Sequence, residues 1–190
     1  MTQVKPMRAD ARRNYERLLK AAVEAFAEHG EGASLDDIAK RAGVGSGTLY
    51  RHFPTRQALL EAAYLDRIEA LALRADEIAR RLPPGRALVE WLNELGLGVI
   101  QVRGLKSLLG TAVTSDGSAV DTACGTCLTA AAERLVRAAQ ADGTLRGDVE
   151  PIEILRLTHG LATASELANG GGSDIRRYLS LLTEGLRPGR

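Results

Sequence analysis

A chain of 190 residues is long enough for one sizeable core or for a small domain joined to a larger one, and its 45% hydrophobic and 26% charged content is ordinary for a folded soluble protein. No stretch approaches the roughly 18 apolar residues of a membrane span, and Arg8, Asp10, Arg12, Arg13, Glu16 and Arg17 interrupt the N-terminus where a signal peptide would have its apolar core. Two cysteines make no disulfide framework, so a reducing, cytoplasmic setting without membrane association is expected.

The net charge of +1 conceals an uneven distribution. Residues 1–56 carry 10 Lys/Arg and 7 Asp/Glu, a net of +3, whereas residues 57–190 carry 15 and 17, a net of −2. Within the first part, residues 1–20 hold six cations against two acids, and residues 40–56 hold four cations and no acid. A polyanion would meet positive charge at those two places.

Along the chain almost everything reads as helix, because Ala, Leu, Arg and Glu dominate and alternating β-branched runs are absent. Tyr15, Leu18, Leu19, Ala22, Val23 and Phe26 form one apolar stripe that stops at Gly30 and Gly32. Ser34 is placed to cap a second helix through the N–H of Asp37, with Leu35, Ile38, Ala39 and Ala42 periodic and Gly43 ending it in a left-handed conformation. A very short third helix follows, from about Gly45 to His52, closed by Phe53-Pro54. Thr55 can cap a long fourth helix that runs to the Pro83-Pro84-Gly85 break. Later helices are expected near 85–103, 105–113, 117–141, 151–169 and 173–187, with breaks at Gly104, Ser115-Asp116-Gly117, Asp142-Gly143 and Gly170-Gly171-Gly172.

Two short helices joined by a turn containing Gly43 are the signature of a helix-turn-helix, here at about residues 34–53. Leu35, Ile38, Ala39, Val44, Leu49 and Phe53 would hold the pair against the first helix. That leaves Ser46, Gly47, Thr48, Tyr50, Arg51 and His52 outward near the start of the second helix of the pair, the part that reaches base edges in a major groove. Thr55 and Arg56, at the next helix start, can add a hydroxyl, a backbone N–H and a cation for phosphate. The basic arm with Lys5, Arg8, Arg12 and Arg13 is a further candidate for phosphate or minor-groove contact, which is compatible with its being an unordered terminus.

The run from Ala33 to Ala62, with its DIAKRAGV and GTLYRHFPTRQALL segments, resembles the DNA-binding domain of the TetR family of bacterial transcriptional regulators. The remainder, including GTLRGDVEP, is similar to the helical ligand-binding and dimerisation domain of that family, and the part around Trp91 to Ala112 resembles its SbtR-like subgroup. The resemblance implies that Ser46, Gly47 and Thr48 approach bases and that Tyr50, Arg51 and His52 contact phosphates or nearby bases. Arg56 stands where a lysine usually contacts phosphate, Gly45 where Ser usually caps the reading helix, and Ser46 where Lys is frequent.

Other chemistry is thinly represented. Gly43, Gly45 and Gly47 follow no strand and lack the Lys-Ser/Thr ending of a phosphate loop. Cys124-Gly-Thr-Cys127 lacks the two further ligands of a zinc site and the βαβ context of a redox motif, so these thiols are expected to line the core or a pocket. His159, Thr163 and Glu166 share one side of a helix, fit either for ligand hydrogen bonds or as satisfied core or interface polars. No nucleophile–base pair, cofactor motif or metal set emerges.

The expectation is thus an all-α, non-enzymatic homodimeric regulator of about nine helices. A helix-turn-helix DNA-binding domain over 1–54 is joined by a long helix to a ligand-binding and dimerisation domain over 55–190. Helices around Ile152–Leu167 and Ile175–Leu186 would pair across the two-fold axis as a four-helix interface, or else pack inside the monomer. The partner would be double-stranded DNA carrying an inverted repeat, with reading helices roughly 34–36 Å apart or a multiple of that. A small apolar or amphipathic ligand held between Trp91, Leu95, Leu109, Val113, Cys124, Cys127 and Thr163 would release a repressor from DNA. The rival reading is a helical redox or metal sensor working through Cys124 and Cys127 without DNA.

Overall fold

The computed structural model describes residues 5–114, 123–169 and 171–189, apart from the side chains of residues 5–9, 31, 103, 111–114 and 123–124. These residues form nine α-helices and no strand: α1 Lys5–His29, α2 Leu35–Arg41, α3 Ser46–His52, α4 Arg56–Arg81, α5 Pro84–Gln101, α6 Arg103–Thr114, α7 Ala123–Ala141, α8 Pro151–Leu167 and α9 Gly171–Gly185. One 3-10 turn, Gly30–Gly32, follows α1. Backbone contacts divide the chain into two compact units, residues 1–64 and 65–190.

In the first unit, α1 buries Leu18, Ala21, Ala22, Ala25 and Phe26. Its buried face is rotated from the expected stripe toward Ala21 and Ala25, leaving Tyr15 and Val23 37% and 38% exposed. The backbone is already helical at Lys5, so the expected arm is a helical extension. Pro6 is tolerated in a first turn, and Arg12–Glu16 at 3.0 Å is a supporting i,i+4 pair, with Arg13–Asp10 beside it. The side chains of Lys5 and Arg8 lie outside the described residues.

The turn between α2 and α3 follows local rules closely. The Ser34 hydroxyl accepts the N–H of Asp37 at 3.3 Å, and Asp36 and Asp37 occupy the first turn of α2, where the helix dipole favours carboxylates. Gly43 has φ +66, a left-handed value that a side chain would strain, and its N–H reaches back to the Lys40 carbonyl at 3.1 Å. Gly45 caps α3 in an extended conformation, Leu49 and Phe53 turn inward, and Thr55 caps α4 by accepting from Ala58 N–H at 3.0 Å.

In the second unit, α5 is the central helix and touches α6, α7, α8 and α9. Its inner face is Leu88, Trp91, Leu92, Leu95 and Val99, all essentially inaccessible. Close approach explains Gly96: a Cβ there would lie 2.8 Å from Cγ1 of Ile175 on α9. The break after α5 falls at Val102, in extended backbone, rather than at Gly104, which is buried inside α6. Extended φ and ψ need no glycine, and the Val102 carbonyl starts α6 by accepting from Leu105 and Lys106. The expected Ser115-Asp116-Gly117 break, the start of the next helix at 117 and Gly170 lie outside the described residues. α8 begins with Pro151 inside a Glu150–Glu153 capping box and ends at Leu167, and Asn169 just beyond it has φ 54. Gly171 and Gly172 then belong to α9 rather than to the loop, and a Cβ on Gly172 would meet Leu97 at 2.8 Å.

Candidate nucleic-acid interface

The outer surface of α3 is built from small and hydrogen-bonding groups. Gly45 and Gly47 are exposed and a Cβ at either would meet nothing among the described residues, so packing against those residues does not require a glycine there. Tyr50 is 48% exposed, Arg51 is exposed, and Ser46 and Thr48 are half-buried beside them. His52 is drawn inward: its ring lies 6.0 Å from that of Tyr15 and 6.2 Å from that of Phe53, at the foot of α1.

The frame behind this face is held by polar links that sequence spacing did not reveal. Arg41 of α2 pairs with Glu28 near the end of α1 at 2.6 Å, and its guanidinium holds the Glu28 carboxyl below the usual carboxylate range. Ser46 donates its hydroxyl proton to Asp36 of α2 at 2.7 Å. The run 40–56 is free of acid in sequence, yet the fold delivers the Asp36 carboxylate to the start of α3. No periodicity rule links these residues, because the contact depends on how two helices cross.

Arg56 also differs from a free phosphate ligand. It is half-buried, its Nη1 donates to the Ala33 carbonyl at 2.6 Å, and its guanidinium carbon lies 5.4 Å from the Phe26 ring centre. Ser34 and Thr55 are exposed, each at a helix N-terminus and each using its side-chain oxygen as the cap.

The residues expected to hold a ligand differ in burial. Trp91, Leu95 and Leu109 are core residues, and the Trp91 indole N–H donates to the Leu71 carbonyl at 2.9 Å. Cys127 is a free, half-buried thiol; Thr163 is half-buried on α8, its Oγ1 without a hydrogen-bond partner among the described residues. The side chains of Val113 and Cys124 lie outside the described residues. On the same two helices as Leu109 and Thr163, Lys106 of α6 pairs with Glu166 of α8, and the His159 ring stands 3.3 Å from where a Cβ on Gly110 would be. A separate groove of about 870 Å³ opens between the start of α5, the α7–α8 connection and the end of α9, lined by Leu88, Val89, Leu145, Thr183 and Arg187 among others. None of the seven expected residues lines it. Among the described residues no group of three or more His, Cys, Asp or Glu side chains is placed to hold a metal, and no helix is long and apolar enough to cross a membrane.

An exposed α3 braced by α1 and α2, followed by a separate helical unit, defines the class: a helix-turn-helix regulator with its own C-terminal domain. Residues 18–63 match the bacterial regulatory proteins of the tetR family, and residues 83–188 match the C-terminal domain of SbtR-like transcriptional regulators. The chain belongs to the TetR family of transcriptional regulators, which are not enzymes. A TetR transcriptional regulator from Streptomyces coelicolor is 35% identical, over 93% of this chain and 99% of that one, with a TM-score of 0.58. An HTH-type transcriptional regulator of Bacillus subtilis is 45% identical over 49 residues, so the chain matches only 25% of that relative's length. The fold alone is shared with FadR of Bacillus subtilis in complex with stearoyl-CoA, at 17% identity over 93% of this chain and 99% of that one, with a TM-score of 0.67.

Proposed function

We propose that the protein is a homodimeric repressor that binds an inverted-repeat operator through α3 and is released by a small apolar or amphipathic ligand. The single observation that carries the DNA-binding part is the outer surface of α3, where Gly47, Tyr50 and Arg51 are exposed, Thr48 is half-exposed beside them, and Leu49 and Phe53 turn inward. In this reading Ser46, Gly47 and Thr48 approach bases. Tyr50, Arg51 and His52 meet phosphates or nearby bases, and Ser34, Thr55 and Arg56 bring helix N-termini and a cation to the flanking backbone. The DNA-binding domain is residues 1–54 and the ligand-binding and dimerisation domain residues 55–190.

The dimer interface in this reading is formed by α8 and α9. Support comes from an apolar outer face on α8, with Leu157 41% and Leu167 81% exposed and Gly160 and Ala164 between them, and from Leu181 of α9 at 50%. A Cβ on Gly160 would meet nothing among the described residues, so a partner helix can approach its backbone closely. The ligand lies among α5, α6, α7 and α8, near Trp91, Leu95, Leu109, Val113, Cys124, Cys127 and Thr163, with the Thr163 hydroxyl as its polar contact. Acyl-CoA is one class to screen, since the FadR relative of the same fold carries stearoyl-CoA. Release requires that the ligand bind the DNA-incompetent state more tightly.

Selection of sheared DNA from the source organism, followed by salt titration on the best fragment, tests the reading. The expected result is a shared inverted repeat whose affinity falls steeply with salt as phosphate contacts release counterions. Recovery of no common sequence would overturn it.

A further inference from the structure

Ser46 opens α3, at the end of the helix that reaches base edges in a helix-turn-helix, and its Oγ lies 2.7 Å from Oδ1 of Asp36 in the first turn of α2. A carboxylate only accepts hydrogen bonds, whereas a serine hydroxyl has one proton to give and two lone pairs. The Ser46 proton therefore points back at Asp36, and the oxygen presents lone pairs alone to anything outside. Gly45 and Gly47 flank it with no side chains, so nothing from its chain neighbours shields that oxygen.

An acid at the rim of a DNA-facing surface repels phosphates wherever the protein sits on DNA. A benefit confined to the correct sequence offsets that cost. We propose that Asp36 and Ser46 form a specificity-determining pair in which Asp36 makes Ser46 an obligate acceptor, so that the operator must present a major-groove amino group to it. Those groups are N6 of adenine and N4 of cytosine; the O6 and N7 of guanine and the O4 of thymine, which need a donor, are rejected. This inference rests on the DNA-binding reading above.

In vitro selection from random duplexes with the full-length wild type, Asp36→Ala and Ser46→Ala tests the pair, with a cooperative thermal transition well above the assay temperature as the check on folding. The wild type should recover an inverted repeat with A or C at one position of each half-site, and lose about tenfold in affinity when that base becomes G or T. Asp36→Ala frees the hydroxyl proton, so G or T at that position should then bind within about twofold of A or C. Ser46→Ala should erase the preference at that position and leave the other positions as they were. Identical base preferences for wild type and Asp36→Ala would overturn the proposal, as would an unchanged operator for Ser46→Ala. A wild type that recovers no shared sequence would overturn the DNA-binding reading itself, and this inference with it.

Discussion

The guanidinium carbon of Arg56 lies 5.4 Å from the centre of the Phe26 ring, and its Nη1 donates to the Ala33 carbonyl at 2.6 Å. The start of α4 is thereby tied to α1 and to the turn before α2. Arg56→Ala is expected to destabilise the protein by about 1–2 kcal/mol through the lost hydrogen bond and cation–π contact. Urea denaturation measures this; an unchanged midpoint would mean that Arg56 has no role in holding the fold.

The second unit depends on Trp91, which is fully buried in α5 and satisfied by the Leu71 carbonyl at 2.9 Å. Trp91→Phe should cost about 1–2 kcal/mol, because it removes a buried donor and part of the ring volume. Trp91→Ala should cost about 3–5 kcal/mol. Thermal unfolding followed by far-ultraviolet circular dichroism distinguishes these values from the near-zero change of a surface site.

Tyr50 and Arg51 are exposed on α3, and neither is one of the buried core residues. Alanine at either should leave stability within about 0.5 kcal/mol of wild type while weakening operator binding. For Arg51→Ala the slope of log affinity against log salt should fall by about 1, since one phosphate contact is lost. Fluorescence anisotropy on a labelled operator reads both effects, and an unaltered affinity would remove the residue from the interface.

If α8 supplies the dimer seam, Leu157→Glu and Gly160→Leu should act through different physics. The first places a charge in an apolar contact, and the second adds a side chain where a partner backbone must approach. Both positions are exposed in the single chain, so each variant should fold yet sediment as a monomer. Dimers persisting in both would move the interface elsewhere.

Glu28 supplies a pH test. Its folded-state carboxyl is held below the usual range chiefly by its hydrogen bond to Arg41. The sign follows from linkage: the contribution is present above the unfolded carboxylate pKa and is lost as pH falls through the lowered folded value. The melting temperatures of wild type and Arg41→Ala should therefore differ near neutrality and converge as the pH falls through the lowered folded-state value.

Much of the fold was readable along the chain because it follows from short-range rules. The Ser34 cap, the left-handed Gly43, the Thr55 cap and the Pro151 helix start each depend on backbone and side chains within one turn. The same rules misplace the α5–α6 break, since extended backbone at Val102 ends a helix without any glycine signal, whereas Gly104 carries that signal and packs inside α6.

Ser46, Gly47, Thr48, Tyr50 and Arg51 are legible as an outward polar face, but the partners of Ser46, His52 and Arg56 are not. Asp36, Tyr15 and Phe26 reach those side chains from other helices. The expected ligand set shared apolar spacing on its helices, and spacing cannot separate a residue that lines a cavity from one that fills the core. Periodicity says which side of a helix turns inward. The angle and distance at which helices cross decide what it meets there, and close packing makes that a property of the whole unit rather than of any one segment.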